Sequence, residues 1–223
     1  MARVVAFDVN ETLLDLSALD PAFQRAFGSA APRPQWFAQM LQLSFVGTIT
    51  GEYVDFTTAQ RAALEMLAQR TGTELRPGDA DAIVGGMRRL PAHPEVRAAL
   101  ETLHGSGLRV AALTNSPLDV AQDQLVNAGL RDLFEAVLSA DTVRRLKPAR
   151  EPYLAVADHF GVPVGEVRLV AAHAWDVAGA LAAGCSAAFV ARPGMVLSPL
   201  GRRPDVVGPD IAAVVDQLIS GDG

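Results

Sequence analysis

The sequence has little cysteine, little positive charge and no long hydrophobic run. One cysteine among 223 residues, Cys185, excludes an internal disulfide framework and indicates a reducing compartment. The 19 lysines and arginines are outnumbered by 25 aspartates and glutamates, and no basic cluster suggests nucleic-acid binding. No apolar stretch reaches the roughly 18 residues of a membrane span, and a strand pattern stands where a signal peptide would. These absences predict a cytoplasmic protein that binds neither nucleic acid nor a membrane.

An almost wholly apolar run near the amino terminus, residues 4–7, ends on an acid, Asp8. Such a run is typical of a strand that is buried on both faces of a parallel sheet. A carboxylate at the carboxyl end of that strand lies where open α/β sheets place their ligands. The alternative is that Asp8 only caps the next turn. This stretch alone leaves both interpretations open.

A block of helical patterns follows the first strand. Apolar residues recur at intervals of three and four, and Pro32 and Pro34 are expected to break the first helix. The predicted helices cover residues 15–27, 35–49, 57–70 and 79–89. An all-helical block between one strand and a later series of strands indicates an inserted cap, residues 15–91. The core then comprises residues 1–14 and 92–223.

Strands and helices alternate in the second half of the chain. Further strands are predicted at residues 108–113, 136–139, 167–171 and 187–191, with a short edge strand at 205–207. This alternation implies parallel βαβ units with right-handed crossovers. The predicted fold class is therefore α/β, a Rossmann-like doubly wound parallel sheet core with an inserted helical cap.

Polar side chains follow four of the predicted strands. Asp8 can act as a nucleophile, and Thr114 and Asn115 can donate hydrogen bonds to a developing charge. Lys147 can lower the pKa of Asp8 and keep it ionised, while Asp176 can pair with Lys147 or orient a water molecule. Each residue alone reads more simply as a helix cap or a surface charge. Their recurrence at consecutive strand ends favours a single site.

These residues carry a resemblance to a known family. Their order and spacing resemble the haloacid dehalogenase superfamily and, within it, the type II L-2-haloacid dehalogenases. The resemblance covers essentially the whole chain and rests on Asp8 followed by Thr12, on Leu113-Thr114-Asn115, on Lys147-Pro148 and Tyr153, on Trp175-Asp176, and in the cap on Trp36 and Tyr53-Val54-Asp55-Phe56.

The resemblance implies a helical cap that closes over the site and a two-step reaction. Asp8 would attack the substrate carbon, and water would then hydrolyse the ester. We predict the catalytic residues to be Asp8, Lys147, Asp176, His173 and Thr12, of which His173 and Asp176 position and activate the water. We predict the substrate-binding residues to be Asn10, Thr114, Asn115, Tyr153, Phe37 and Trp175.

Two positions bear on which reaction is catalysed. Phosphatases of the superfamily place a second aspartate two residues after the nucleophile, because an alkoxide leaving group needs a proton. Asn10 stands there and cannot supply one, whereas a departing halide needs none. Phosphatases also hold Mg²⁺ with an extra acid in the motif that ends at Asp176, and here Ala171, Ala172 and His173 occupy those positions. We therefore predict chemistry without a metal or another cofactor.

Three residues depart from the dehalogenase pattern. Phe37 stands where those enzymes usually carry an arginine that grips the substrate carboxylate and the halide. Its loss removes a charge-assisted pair of about 1.5–3 kcal/mol, so the substrate is less anionic, bulkier or held differently. His173 replaces a common asparagine, either as a hydrogen-bonded loop residue or as a base or donor in the site. Ala171 replaces a frequent serine.

The sequence thus predicts a hydrolase that dehalogenates a small 2-haloacid, a small-molecule substrate. The alternatives are a Mg²⁺-dependent phosphatase of the same fold and a catalytically silent binding module, which Phe37 and His173 suggest. A homodimer is compatible with the sequence, because apolar cap helices often pair.

Overall fold

The computed structural model describes residues 2–221 as a parallel sheet flanked by helices. The strands, in the order β3-β2-β1-β4-β5-β6, are all parallel to their neighbours. They are β1 Val4–Phe7, β2 Arg109–Thr114, β3 Ala136–Ser139, β4 Val167–Ala171, β5 Ser186–Val190 and β6 Val206–Gly208. This order places β1 between β2 and β4, where the chain direction along the sheet reverses. Ligands bind at such a switch point, outside the carboxyl ends of the strands.

Helices cover both faces of the sheet, as its parallel strands require. Within residues 2–221 the α-helices are α1 Asp20–Phe27, α2 Pro32–Thr50, α3 Phe56–Thr71, α4 Asp79–Gly86, α5 Val96–His104, α6 Leu118–Asn127, α7 Arg150–Phe160, α8 Ala174–Ala183 and α9 Ile211–Gly221. The predicted α/β fold with a doubly wound parallel sheet is confirmed. In the same residues, no helix has both the length and the apolar character that a bilayer crossing demands.

The buried side chains of β1 alternate between two hydrophobic cores. Val5 and Phe7 join the core that contains the helices between β1 and α5, and Val4 and Ala6 join the core formed with α7 and α8. All four side chains are at most 1% exposed. This double burial holds β1 rigidly, so the residue that follows it has a fixed position.

Helices α1 to α4, which we call the inserted helices, all lie between β1 and α5 along the chain. The buried indole of Trp36 in α2 donates to the Gln60 carbonyl in α3 at 2.9 Å and packs against the ring of Phe23 in α1. The inserted helices thereby form a packed unit of their own. The exact division into a cap of residues 15–91 and a core stays a prediction.

The structure corrects several predicted boundaries. Residues 16–19 form a 3-10 helix, and α1 begins only at Asp20, with Pro21 in its first turn. Gly28, in the left-handed conformation at φ 74°, ends α1, and both Pro32 and Pro34 lie in the first turn of α2 instead of breaking a helix. Proline is tolerated there because the first helical N–H groups have no partner within the helix.

Candidate active site

Asp8 follows β1 directly, and its carboxylate is the centre of a buried network. Its backbone N–H donates to the Val170 carbonyl at 3.0 Å, which extends the pairing of β1 with β4. Lys147 donates to Oδ1 at 2.9 Å, and Thr12 donates to Oδ2 at 2.6 Å. A ring nitrogen of His173 lies 3.1 Å from the same Oδ2. Oδ2 therefore has two hydrogen-bond partners and Oδ1 has one.

Lys147 is fully buried, and its ammonium group has no spare donor. Besides Asp8, Nζ donates to Asp176 Oδ2 at 2.6 Å and to the Leu113 carbonyl at 3.0 Å. The amide of Asn115 fixes the Lys147 backbone, since it accepts from the Lys147 N–H at 2.8 Å and donates to the Lys147 carbonyl at 3.2 Å. The lysine is therefore held in place at both ends. Its ammonium lies between the two carboxylates.

The electrostatics of this network keep Asp8 negative. Burial acts to raise the pKa of Asp8, but the charge of Lys147 and the contacts with His173 outweigh it and hold the pKa well below its ordinary value. Burial raises the pKa of Asp176 even beside Lys147. Burial lowers the pKa of Lys147, but Asp176 and Asp8 reverse this and raise it above the ordinary value. A buried nucleophilic carboxylate is thus stabilised by a neighbouring cation.

Asp176 lies in the first turn of α8, behind Lys147. The Tyr153 hydroxyl donates to its Oδ1 at 2.6 Å, so both carboxylate oxygens are engaged. Burial and the neighbouring Asp176 charge raise the pKa of Tyr153 well above its ordinary value. Asp176 thus fixes the position of the Lys147 ammonium, and Tyr153 fixes the position of Asp176.

His173 bridges two carboxylates. Its Nδ1 lies 3.1 Å from Asp8 Oδ2, and its Nε2 lies 2.9 Å from Glu11 Oε2. An ionised carboxylate only accepts hydrogen bonds, so both ring nitrogens must donate, which makes the ring an imidazolium. Burial works against the charge, but the hydrogen bonds to Asp8 and Glu11 prevail and raise the pKa of His173 to about 9. The site therefore contains a second cation at neutral pH.

Two aromatic rings stack on the imidazolium. The ring of Phe37, from α2, stacks on His173 with centroids 5.8 Å apart, and the ring of Trp175 stacks on His173 with centroids 5.2 Å apart. Phe45 contacts Trp175 edge-on at 5.4 Å. Faces of aromatic rings attract cations, so the stack stabilises the charge on His173. It also brings an inserted helix into contact with the catalytic network.

The space beside Asp8 is small. A cavity of about 10 Å³, room for about one water molecule, is lined by Asp8, Asn10, Phe37, Leu41, Phe56, Asn115, Lys147, His173 and Trp175. A larger cavity of about 470 Å³ has Glu11 in its wall, together with Arg33 and Arg192. The Glu11–His173 pair joins the walls of the two cavities.

Four predicted site residues do not line the cavity beside Asp8, namely Thr12, Thr114, Tyr153 and Asp176. Thr12 reaches Asp8 directly, whereas the Thr114 hydroxyl accepts from the Ser116 N–H at 3.1 Å. Asn10 lines the cavity, but its side chain bonds with Ser116 at 3.2 Å and with Gln124 at 2.8 Å.

Sequence reasoning missed Glu11, Leu41 and Phe56. The sequence signal for Glu11 was its place in the turn directly after the nucleophile. Its backbone has φ 60°, which is uncommon for a residue with a side chain and draws attention to this position. Leu41 follows Phe37 by one helical turn, a spacing that puts both on one face of α2.

The donor set near Asp8 is poorly suited to a metal. In the part of the chain that the structure describes, no group of three histidine, cysteine, aspartate or glutamate side chains is placed to hold one. Asp8 and Asp176, the two carboxylates of the predicted motif, both contact the Lys147 ammonium. Metal-independent chemistry stays a prediction that a chelator experiment can test.

Comparison with known proteins points in one direction. A family model described as haloacid dehalogenase-like hydrolase matches residues 2–184. Haloacetate dehalogenase H-2 of Moraxella sp. (strain B) is 29% identical over 215 residues, which cover 96% of each chain. The (S)-2-haloacid dehalogenase of Xanthobacter autotrophicus is 32% identical over 194 residues, 86% of this chain and 76% of that protein.

The fold is also shared with a solved enzyme. The structure of L-2-haloacid dehalogenase from Xanthobacter autotrophicus with chloropropionic acid covalently bound superposes with a TM-score of 0.90 at 28% identity, and the match covers 98% of both chains. The family model and the relatives span most of the chain, both the core strands and the inserted helices. The chain therefore belongs to the haloacid dehalogenase-like hydrolases and is similar, among them, to the L-2-haloacid dehalogenases.

Proposed function

We propose that this protein hydrolyses the carbon–halogen bond of a small 2-haloacid by way of an ester on Asp8. The observation that carries the proposal is a buried carboxylate that Lys147 keeps ionised, beside a small cavity with an apolar wall. A carboxylate stripped of water is a stronger nucleophile, and a carbon–halogen bond can be displaced directly. The similar dehalogenases support the same reaction class.

In the first step, Asp8 displaces the halide. Oδ1 has one hydrogen-bond partner and Oδ2 has two, so Oδ1 is the oxygen with more free electron density. It forms a bond to the carbon that carries the halogen, and the halogen leaves with the bonding pair as halide. No proton is needed. The buried indole N–H of Trp175 has no hydrogen-bond partner among residues 2–221 and can donate to an anion in the cavity.

In the second step, water attacks Cγ of the Asp8 ester. The water gives one proton to solvent, and its oxygen with the other proton stays on Cγ. The bond between Cγ and Oδ1 breaks, and Oδ1 departs as the product hydroxyl with a proton from Lys147, the donor that contacts it. The new Asp8 carboxyl then returns its proton to Lys147. The sum is one ester and one water converted into carboxylate, alcohol and a released proton.

The predicted role of Asp176 in activating water has less geometric support. Both of its oxygens are engaged, and it does not line the cavity. We propose instead that Asp176 positions Lys147. His173 lines the cavity and is the group that a hydrolytic water would meet.

A phosphatase reaction is the weaker candidate. It needs a general acid two residues after Asp8, and the Asn10 amide that stands there is bound to Ser116 and Gln124. A silent binding module would not need a buried nucleophile that is held ionised. Neither alternative has an observation in its favour that the dehalogenase proposal lacks.

The test is halide release from both enantiomers of 2-chloropropionate, from chloroacetate and from fluoroacetate, with a chelator present. Phosphate release from an aryl phosphate with Mg²⁺ is measured in parallel. We expect halide release by the wild type and a loss of about 10⁴-fold or more in Asp8→Asn, with an unchanged circular dichroism spectrum. Full activity of Asp8→Asn, or phosphate release alone, would contradict the proposal.

Two further predictions concern the location of the protein in the cell and its oligomeric state. We propose a cytoplasmic location, in keeping with a single buried cysteine, and a homodimer. Light scattering coupled to gel filtration tests the dimer, which would have twice the 23.5 kDa mass of the chain.

A further inference from the structure

The second step of the proposed reaction creates a negative charge that needs partners. When water attacks the ester, the carbonyl oxygen of Asp8 becomes an oxyanion. With Oδ1 bonded to the substrate, that carbonyl oxygen is Oδ2. Enzymes that cleave esters place hydrogen-bond donors about 2.7–3.1 Å from this position before the charge develops.

We infer that Thr12 and His173 form an oxyanion hole for the Asp8 ester, and that Glu11 is a positioning residue that holds the His173 imidazolium in it. The inference rests on the proposed function. It goes beyond it by adding Glu11 and by making His173 an electrophilic donor instead of a base. The donors already contact Oδ2, Thr12 at 2.6 Å and His173 at 3.1 Å, so no rearrangement is required.

The donors are themselves fixed by their surroundings. The Thr12 hydroxyl accepts from the Ala172 N–H at 2.9 Å, which directs its own proton to Asp8. The backbone of His173 caps α8, and its ring stacks on the rings of Phe37 and Trp175. Its two nitrogens contact Asp8 and Glu11, so these four contacts together fix the orientation of the ring.

Glu11 matters most after the first step, because Asp8 has then lost its charge. Two charged groups contact the imidazolium, Asp8 from the end of β1 and Glu11 from the following turn. The other charged groups of the site lie further along the network, Lys147 on Oδ1 and Asp176 beyond Lys147. The aromatic rings of Phe37 and Trp175, which stack on His173, carry no charge. Once Asp8 is an ester, Glu11 is the remaining anion that can hold the proton on His173.

The backbone of Glu11 supports a functional role. Its φ of 60° lies in the left-handed region, where a side chain is strained. The strained turn directs the carboxylate to Nε2 of His173, at 2.9 Å. A residue in this conformation persists where the surrounding structure and the function require it.

The experiment compares Glu11→Gln with the wild type on L-2-chloropropionate across pH 5.5 to 9.5. Glutamine keeps the length and a hydrogen-bonding oxygen but removes the charge. Asp15→Asn is the matched control, because Asp15 lines the same 470 Å³ cavity as Glu11 and its hydrogen bonds go to Ser17. Asparagine is as good a helix cap as aspartate, so this control leaves the fold unchanged.

An electrophilic imidazolium works only while it is protonated, so kcat should fall as pH rises through the pKa of His173. Without the Glu11 charge that pKa is lower, and the alkaline limb of kcat moves to lower pH. We expect Glu11→Gln to be within about twofold of the wild type at pH 5.5 and about tenfold slower at pH 8. At pH 8 the ester accumulates, and intact-mass spectrometry detects it as an adduct on the protein. Asp15→Asn should show neither change.

Three results would overturn the inference in an active wild type. One is an unchanged alkaline limb in Glu11→Gln, and another is the absence of the adduct. The third is an acidic limb of kcat that moves to lower pH, because it would identify His173 as a base. A wild type that releases no halide from any haloacid would overturn the proposed function itself, and this inference with it.

Discussion

The two walls of the cavity beside Asp8 differ in kind. The wall from the sheet carries a connected set of charges, with Asp8, Lys147 and His173 in direct contact. The wall from the inserted helices is apolar and consists of Phe37, Leu41 and Phe56. The sheet side thus supplies the chemistry, and the helical side supplies shape and excludes water.

This difference changes how a haloacid would be recognised. The resemblance to the type II dehalogenases led us to expect a cationic grip from the inserted helices, but Phe37 stands at that position. The cations of the site are on the sheet side instead, in Lys147 and in the His173 imidazolium that Phe37 covers. Neither Lys147 nor His173 has a spare N–H donor, so a substrate anion must rely on the N–H of Trp175, on backbone groups and on the positive charges nearby.

Among the changes that keep the Asp8 nucleophile, the largest effect should come from breaking the charged wall. Lys147→Met keeps the length of the side chain but leaves Asp8 and Asp176 without their shared cation. We expect kcat to fall about 10³-fold and the free energy of unfolding to fall by about 3 kcal/mol, because an unpaired buried charge is costly. Halide release and urea denaturation measure the two effects.

The matched control for this change is Arg3→Met, which breaks the exposed pair with Glu166 and should alter little. Equal stability of Lys147→Met and the wild type would mean that the charged wall contributes nothing to folding. That result would remove the distinction between the two walls.

The next effect concerns the pH dependence of stability. The folded pKa of His173, about 9, lies above its ordinary value of 6.5. Its contribution is therefore fully present below pH 6.5 and is lost as pH rises through 9. Over this range His173 should account for about 3 kcal/mol of the free energy of unfolding. Urea titrations at several pH values should show this decline in the wild type, and a flatter profile for His173→Asn. Identical profiles would contradict the assignment of an imidazolium.

A smaller effect should follow from giving the apolar wall a charge. In Phe37→Arg the substrate carboxylate gains a charge-assisted partner, and KM for 2-chloropropionate should fall about tenfold. The same change places a second cation next to His173, so kcat should also fall. Phe37→Leu keeps the wall apolar and should leave KM close to that of the wild type. An unchanged KM in Phe37→Arg would mean that the substrate carboxylate does not face α2.

The smallest effect on stability is expected at Glu11. In Glu11→Gly, relief of the left-handed backbone offsets the loss of the ion pair with His173, so the free energy of unfolding should change by less than about 1 kcal/mol. Turnover at pH 8 should nevertheless fall about as much as in Glu11→Gln. Thermal unfolding and halide release are measured on the same preparation. A large loss of stability together with unchanged turnover would assign Glu11 a purely structural role.

Much of the fold could be predicted from the pattern of apolar residues. β3 and β4 have the predicted bounds, because their short apolar runs end at clear turn residues. The bounds of α1 and α2 could not be predicted as well, because a proline in the first turn of a helix and a proline that ends one look alike in sequence.

The site residues that come directly after strands could be predicted from the sequence, and the other site residues could be predicted less well. The sequence alone could predict that Asp8, Lys147 and Asp176 lie close together, because parallel strands end at one edge of the sheet. Glu11 could not be placed in this way, because its contact with His173 joins two turns that are 162 residues apart. The pattern of apolar residues does not predict how two distant turns are placed relative to each other. Nor does it show that Tyr153 and Asp176 stand behind the cavity instead of in its wall.

The small size of the cavity beside Asp8 has a consequence for affinity. Because it has room for about one water molecule, we expect it to admit a haloacid only in the fraction of molecules whose inserted helices have moved away. The measured affinity is then weakened in proportion to that fraction. Contacts such as that of the Tyr53 hydroxyl with Asp141, which join the two sides outside the cavity, help to set the fraction. Residues that never touch the substrate can therefore tune its KM.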